Sequence, residues 1–117
     1  MEKIVEQGLL YDFYGELLTE HQKQIYEGIV YENLSLGEIA AEQGISRQGV
    51  HDIVKRCDKA LIGYEERLRL VERFMKMKAK IREIDELTGL FEKDESGDKM
   101  AYCRKVRQLS SKILEEL

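Results

Sequence analysis

Proline is absent from the 117 residues. With charged residues at 36%, above the roughly 25% of an average globular chain, the composition suits long solvent-facing helices. It does not suit a β sandwich, which needs frequent turn residues. No apolar run approaches the length of a membrane span. The opening Met-Glu-Lys-Ile-Val-Glu-Gln-Gly lacks the basic-then-apolar layout of a secretory signal, and a cytoplasmic protein without a membrane partner is expected. Only Cys57 and Cys103 carry thiols, and they form neither a CxxC pair nor a metal-spaced cluster. Both read as small half-buried hydrophobes in a reducing compartment. A phosphate-binding glycine loop, a Ser/His/Asp set and a metal cluster are all missing, so the sequence reads as a non-enzyme without cofactor. His51 has no second ligand at metal spacing, because the other histidine, His21, lies in another predicted helix.

The size allows about one ordinary domain or two very small ones. Apolar residues make up 43% of the chain, enough for a compact core. The net charge of −4 is unusual for a protein that would bind nucleic acid through a broad basic surface. It is also uneven. Residues 1–57 hold 5 Lys/Arg against 10 Asp/Glu, whereas residues 58–117 hold 14 against 13. Within the second part, residues 67–82 carry seven basic side chains and one acid, Glu72.

Apolar spacing predicts helices nearly throughout. The first runs from about Glu2 to Leu18, with Ile4, Leu9, Leu10, Phe13, Tyr14, Leu17 and Leu18 on its inner side. Gly8 and Gly15 weaken it, at about 1 kcal/mol each against alanine. Thr19 and Gln22 form a capping box for a second helix to about Tyr31, with Ile25, Ile29 and Val30 inward. Ser35 and Glu38 form another for a short helix over Leu36–Gln43, which Gly44 ends. Ser46 caps a fourth helix from Arg47, with a kink or break expected near Gly63. Beyond it Leu61, Tyr64, Leu68, Val71, Phe74, Met77, Ile81 and Ile84 make a near-heptad seam with one irregularity at 71–74. A long helix over 64–87, about 36 Å, is expected to stop at Gly89. A polar loop over 93–98 leads to a last helix over Lys99–Glu116. Its apolar face, Tyr102, Val106, Leu109, Ile113 and Leu117, is expected to fold back on the long one.

The stretch Leu36 to Arg56 has helix-turn-helix spacing. Ala40 is small where two helices must cross closely, Gly44 allows a turn with positive φ, and Ile45 plugs the turn. Val50 and Ile53 hold the second helix against the first. Such a unit lays its second helix in the DNA major groove and reads bases from its N-terminal residues. Ser46 is then expected near a phosphate, Arg47, Gln48, His51 and Asp52 near base edges, and Lys55 and Arg56 near the backbone. The same fold could equally serve as a protein-binding or structural module. The basic run is a second candidate. Arg69, Arg73, Lys76 and Lys80 fall on one face of a helix that could grip the phosphates of DNA or structured RNA, or could simply be solvated. The seam needs a partner, either the last helix or a second copy in a symmetric dimer along the long helices.

Two parts resemble sigma factor region 4: Leu18 to Gln22 leading into a helix, and Leu34 to Ala40 followed by Gly44-Ile45-Ser46-Arg47. More closely, the chain resembles the YlxM family of small bacterial proteins. The shared motifs are Tyr-Asp-Phe-Tyr-Gly (Tyr11 to Gly15), Leu-Leu-Thr-Glu (Leu17 to Glu20), Ser-Leu-Gly-Glu-Ile-Ala (Ser35 to Ala40), Ser-Arg-Gln (Ser46 to Gln48) and Lys-Arg at Lys55 and Arg56. The match covers roughly residues 9–90, and the chain departs from the family pattern at Gly49 (alanine expected) and His51 (tyrosine expected). The resemblance implies a sigma-region-4-like helix-turn-helix bundle of the winged-helix-like superfamily type without a wing; the C-terminal helix matches only in character, and with the apolar spacing the expected fold is all-α, the bundle followed by a long helix with a C-terminal helix packed back on it. The bundle is expected over residues 1–62 and a dimerisation or docking part over 63–117. The resemblance further implies a cytoplasmic bacterial protein linked to the signal recognition particle; with the helix-turn-helix spacing and the seam, the expectation is a homodimeric DNA-binding regulator. The rival is an interaction module that docks on the particle's GTPase or RNA through the long basic helix.

Overall fold

The computed structural model describes residues 2–94 and 97–117, and it is all-α. Among the described residues six helices follow one another: α1 (Lys3–Tyr14), α2 (Glu20–Val30), α3 (Leu36–Gln43), α4 (Arg47–Leu68), α5 (Leu70–Lys93) and α6 (Lys99–Glu116). The chain divides into two compact units, Met1–Val71 and Glu72–Leu117, where the sequence placed the boundary at 62/63.

In the first unit, α4 is the axial element against which α1, α2 and α3 pack. Two apolar clusters share it. Leu10, Tyr11, Tyr14, Leu18, Tyr26, Cys57 and Leu61 join α1, α2 and α4. Ile25, Ile39, Ala40 and Val50 join α2, α3 and α4, with Ile45 of the turn packed against them. Tyr14, Tyr26, Ile25, Leu61, Val50 and Cys57 are sealed from solvent. Burying an aliphatic side chain of this size contributes about 1.5–3 kcal/mol, so these positions fix how the helices meet.

Both predicted capping boxes are present. The Thr19 side chain accepts from Gln22 N–H, and Ser35 accepts from Glu38 N–H, with each reciprocal bond made. The first helix is shorter than expected. Its α form stops at Tyr14 and a 3-10 turn, Gly15–Leu17, follows. Its inner face is Gln7, Leu10, Tyr11 and Tyr14, which leaves Ile4 and Leu17 exposed.

The expected break at Gly63 does not occur. α4 runs through it to Leu68 and ends at Arg69, in the left-handed region at φ 54°. A Cβ on Gly63 would meet nothing within 4 Å, whereas one on Gly15 would lie 2.8 Å from the Tyr11 ring. Gly63→Ala should therefore stabilise the chain by about 1 kcal/mol, the helical cost of glycine, and Gly15→Ala should destabilise it. Urea unfolding of the two variants checks the opposite signs, and equal signs would contradict them.

In the second unit α5 also passes Gly89, its expected end, and stops at Lys93. Thr88 Oγ1 donates back to the carbonyls of Ile84 and Asp85 just before that glycine. The α6 N-terminus is capped by Asp98, whose carboxylate accepts from the N–H groups of Met100 and Ala101. The two helices are antiparallel. Phe91 meets Tyr102 edge-on, Tyr102 O–H donates to Asp94, and Lys80 pairs with Glu116. Tyr102, Val106, Leu109 and Ile113 are half-buried as predicted, but Leu117 is exposed. The seam is incompletely covered: Leu68, Phe74 and Ile81 remain exposed. Cys103 is exposed rather than half-buried. Of the predicted loop, Glu95 and Ser96 lie outside the described residues.

Candidate nucleic-acid interface

Residues 36–56 form two helices and a tight turn. Gly44 ends α3 at φ 66°, a conformation that costs a residue with a Cβ about 1–2 kcal/mol. Ile45 N–H then donates to the Ala40 carbonyl at 3.2 Å, and the Ile45 side chain turns onto the core. Ala40 is buried where α3 and α4 meet. The turn thus delivers the start of α4 to the surface, with Val50 buried behind it.

The Ser46 hydroxyl accepts from Gly49 N–H at 2.9 Å and so caps α4. A Cβ at position 49 would lie 3.1 Å from that oxygen, so glycine here leaves the cap room. Ser46, Arg47, Gln48, Asp52, Lys55 and Arg56 are all exposed, and His51 is half-buried. Gln48 Nε2 donates to Asp52 Oδ1 at 3.0 Å, which ties the two side chains together one turn apart. His51 Nδ1 sits 3.7 Å from the same carboxylate and has no hydrogen-bond partner. Among the described residues no group of three or more His, Cys, Asp or Glu could hold a metal ion.

One exposed base escaped the sequence reading. Lys59 continues the stripe of Asp52, Lys55 and Arg56 by one further turn. The spacing of four from Lys55 was the available signal. The neighbouring Asp58 does not oppose this stripe: it accepts from Tyr26 O–H at 2.5 Å and from Gln7 Nε2 at 2.9 Å. Several of the unit's other carboxylates are likewise engaged in hydrogen bonds or ion pairs. Tyr11 donates to Glu27, Tyr14 to Glu65 and Tyr31 to Asp12, while Glu16 and Glu20 hold Lys23. Burial, reinforced by the carboxylate partner, pushes the phenols of Tyr11 and Tyr26 well above the ordinary tyrosine range and raises that of Tyr14. It pushes Tyr31 up to about 12.

The four-residue basic face expected on one long helix does not form. Arg69 is the left-handed residue that closes α4, and only Arg73, Lys76 and Lys80 lie on α5. Lys76 pairs with Glu72 at 3.4 Å, and Lys80 is taken by Glu116. Arg73, Lys76, Lys78 and Arg82 are exposed.

Comparison with known proteins agrees with the helix-turn-helix geometry. A family profile described as "Putative helix-turn-helix protein, YlxM / p13 like" matches residues 1–101. A UPF0122 protein of Desulforamulus reducens is 39% identical over 116 residues, covering 99% of this chain and 97% of the relative. One from Caldanaerobacter subterraneus subsp. tengcongensis is 50% identical over 78 residues, 67% of either chain. One from Acetivibrio thermocellus is 46% identical over 84 residues, 72% of either chain.

Proposed function

The chain belongs to the UPF0122 family of YlxM/p13-like helix-turn-helix proteins, and from that we propose that it is a DNA-binding regulatory protein that inserts the N-terminal turns of α4 into a major groove. The observation that carries this reading is the exposed stripe on α4, with Arg47 and Gln48 at its start and Lys55, Arg56 and Lys59 further along. Arg47 suits a guanine edge and Gln48 an adenine edge. The three later bases suit phosphates on one side of the groove. A helix-turn-helix reader commonly engages two half-sites as a dimer, and a homodimer acting in the cytoplasm is part of this reading.

Gel retardation on mixed-sequence duplex tests it. Arg47→Ala with Gln48→Ala should abolish retardation, while charge reversal at Arg73 and Lys76 should leave most of it. Lys59→Ala should weaken binding to all sequences alike and lower the salt slope by about one. Retention of full binding by the Arg47/Gln48 double variant would end the reading.

The exposed Arg73, Lys76, Lys78 and Arg82 favour a second reading. In it, α5 docks on the RNA or the GTPase of the signal recognition particle, the pathway that the family resemblance implies. The same variants separate the two: for docking, reversal on α5 abolishes binding to the particle and the α4 pair is silent.

A further inference from the structure

The second unit pairs two helices with no fully buried side chain among their described residues. Two amphipathic helices cannot cover each other completely, and the usual solution is a bundle of four. One side of this hairpin is a groove of about 340 Å³. Leu87 and Leu90 of α5 and Leu109 of α6 form its floor, and Leu90 is 55% exposed. Its rims are charged with opposite signs: Glu83 and Glu86 on α5, Lys105 and Lys112 on α6. Among the described residues none of these four makes an ion pair or side-chain hydrogen bond. The segregation extends past the groove. Residues 83–94 hold five carboxylates and one lysine, and residues 99–112 hold five bases and no acid.

We propose that this groove is the contact surface of a homodimer, closed by the same groove of a second copy. The inference rests on the dimer reading above and supplies its surface. A groove with one acidic and one basic rim is complementary to itself under a two-fold rotation. The charges also choose the axis. An axis parallel to the helices lays α5 over α6 of the second copy, acid on base. An axis across the helices lays α5 on α5, acid on acid, which electrostatics opposes. The register follows from the hairpin. Lys80 meets Glu116 and Phe91 meets Tyr102, so Glu83 stands level with Lys112 and, across the axis, with the second copy's Lys112. The four leucines of two floors' upper ends, Leu87 and Leu90 from each chain, then become the centre of a four-helix core.

Sedimentation equilibrium on the full chain tests this. The native chain should sediment at twice its 13.7 kDa mass. Glu83→Lys with Glu86→Lys sets base against base at both contacts and should weaken self-association at least tenfold. Lys105→Glu with Lys112→Glu should do the same. Mixed in equal amounts, the two variants should associate with each other, because each acidic rim then meets a basic one. Leu90→Lys should give a monomer with unchanged helix content by circular dichroism, since that side chain already faces solvent. A native monomer would overturn the dimer itself. A native dimer indifferent to Leu90→Lys and to rim reversal would overturn the surface and leave the dimer standing. Reversed variants that self-associate as tightly as the native chain while Leu90→Lys is monomeric would overturn the choice of axis.

Discussion

Between pH 10 and 11 the N-terminal unit should lose unfolding free energy through Tyr11, Tyr14 and Tyr26, about 1 kcal/mol for each of the first and the last and a loss of the same sign for the second. Each phenol is buried and donates to a carboxylate, Glu27, Glu65 and Asp58 respectively. Ionising it in place would strand an anion beside an anion in a poorly solvated site. The folded state therefore keeps these protons to a higher pH than the unfolded chain, whose tyrosines ionise near pH 10. Below pH 10 both states hold the protons and the stabilisation is complete. Above it the unfolded state sheds them and the folded state does not, so stability falls with rising pH until the folded values are reached. Cys57, raised to about 11 by burial, starts the decline slightly earlier. Urea titrations at pH 9, 10 and 11 measure this directly. A flat stability across that interval would show that the phenols are free to ionise in the native fold.

Glu65→Ala should destabilise the chain by about 2–4 kcal/mol, and Glu65→Gln by far less. Glu65 Oε1 accepts from Tyr14 O–H at 2.5 Å and from Val71 N–H at 3.0 Å, and the Tyr14 oxygen accepts from Leu70 N–H at 3.0 Å. These two side chains thus satisfy the first two N–H groups of α5. Every helix start leaves such donors without an intrahelical partner, and here no Ser, Thr, Asp or Asn precedes the helix to take them. Alanine at 65 orphans a phenol and an amide together, whereas glutamine keeps an acceptor in place. Equal destabilisation by the two substitutions would mean that the acceptor is not what matters there.

That junction also shows where sequence reading stops. The boxes at Thr19/Gln22 and Ser35/Glu38, the turn at Gly44 and the cap at Ser46 were legible because each is local, made by residues a few positions apart. The break at Arg69 was not. Its cap comes from Tyr14, 56 positions away along the chain. Gly63 attracted the expected kink because glycine is the weakest helix former nearby, yet α4 is held straight through it by Leu61 and Cys57 in the core. Missing that break put Arg69 on a helix face it does not share. Tyr11 and Tyr26 were passed over as core because they look amphipathic, and their burial depends on carboxylates brought from other helices. The candidate readers on α4 were found because groove-facing positions follow from the turn alone. Lys59 lies one turn beyond the motif's last residue, where the motif's spacing says nothing.

The contrast between the two thiols has a practical side. Cys57 is sealed between α1, α2 and α4 and held protonated, while Cys103 stands on the open surface of α6. A maleimide dye or spin label added to the unmodified native chain would therefore attach at a single known position, about 16 Å along α6 from the Leu114 turn at the helical rise of roughly 1.5 Å per residue. Spectroscopy on this protein begins with its label site already chosen.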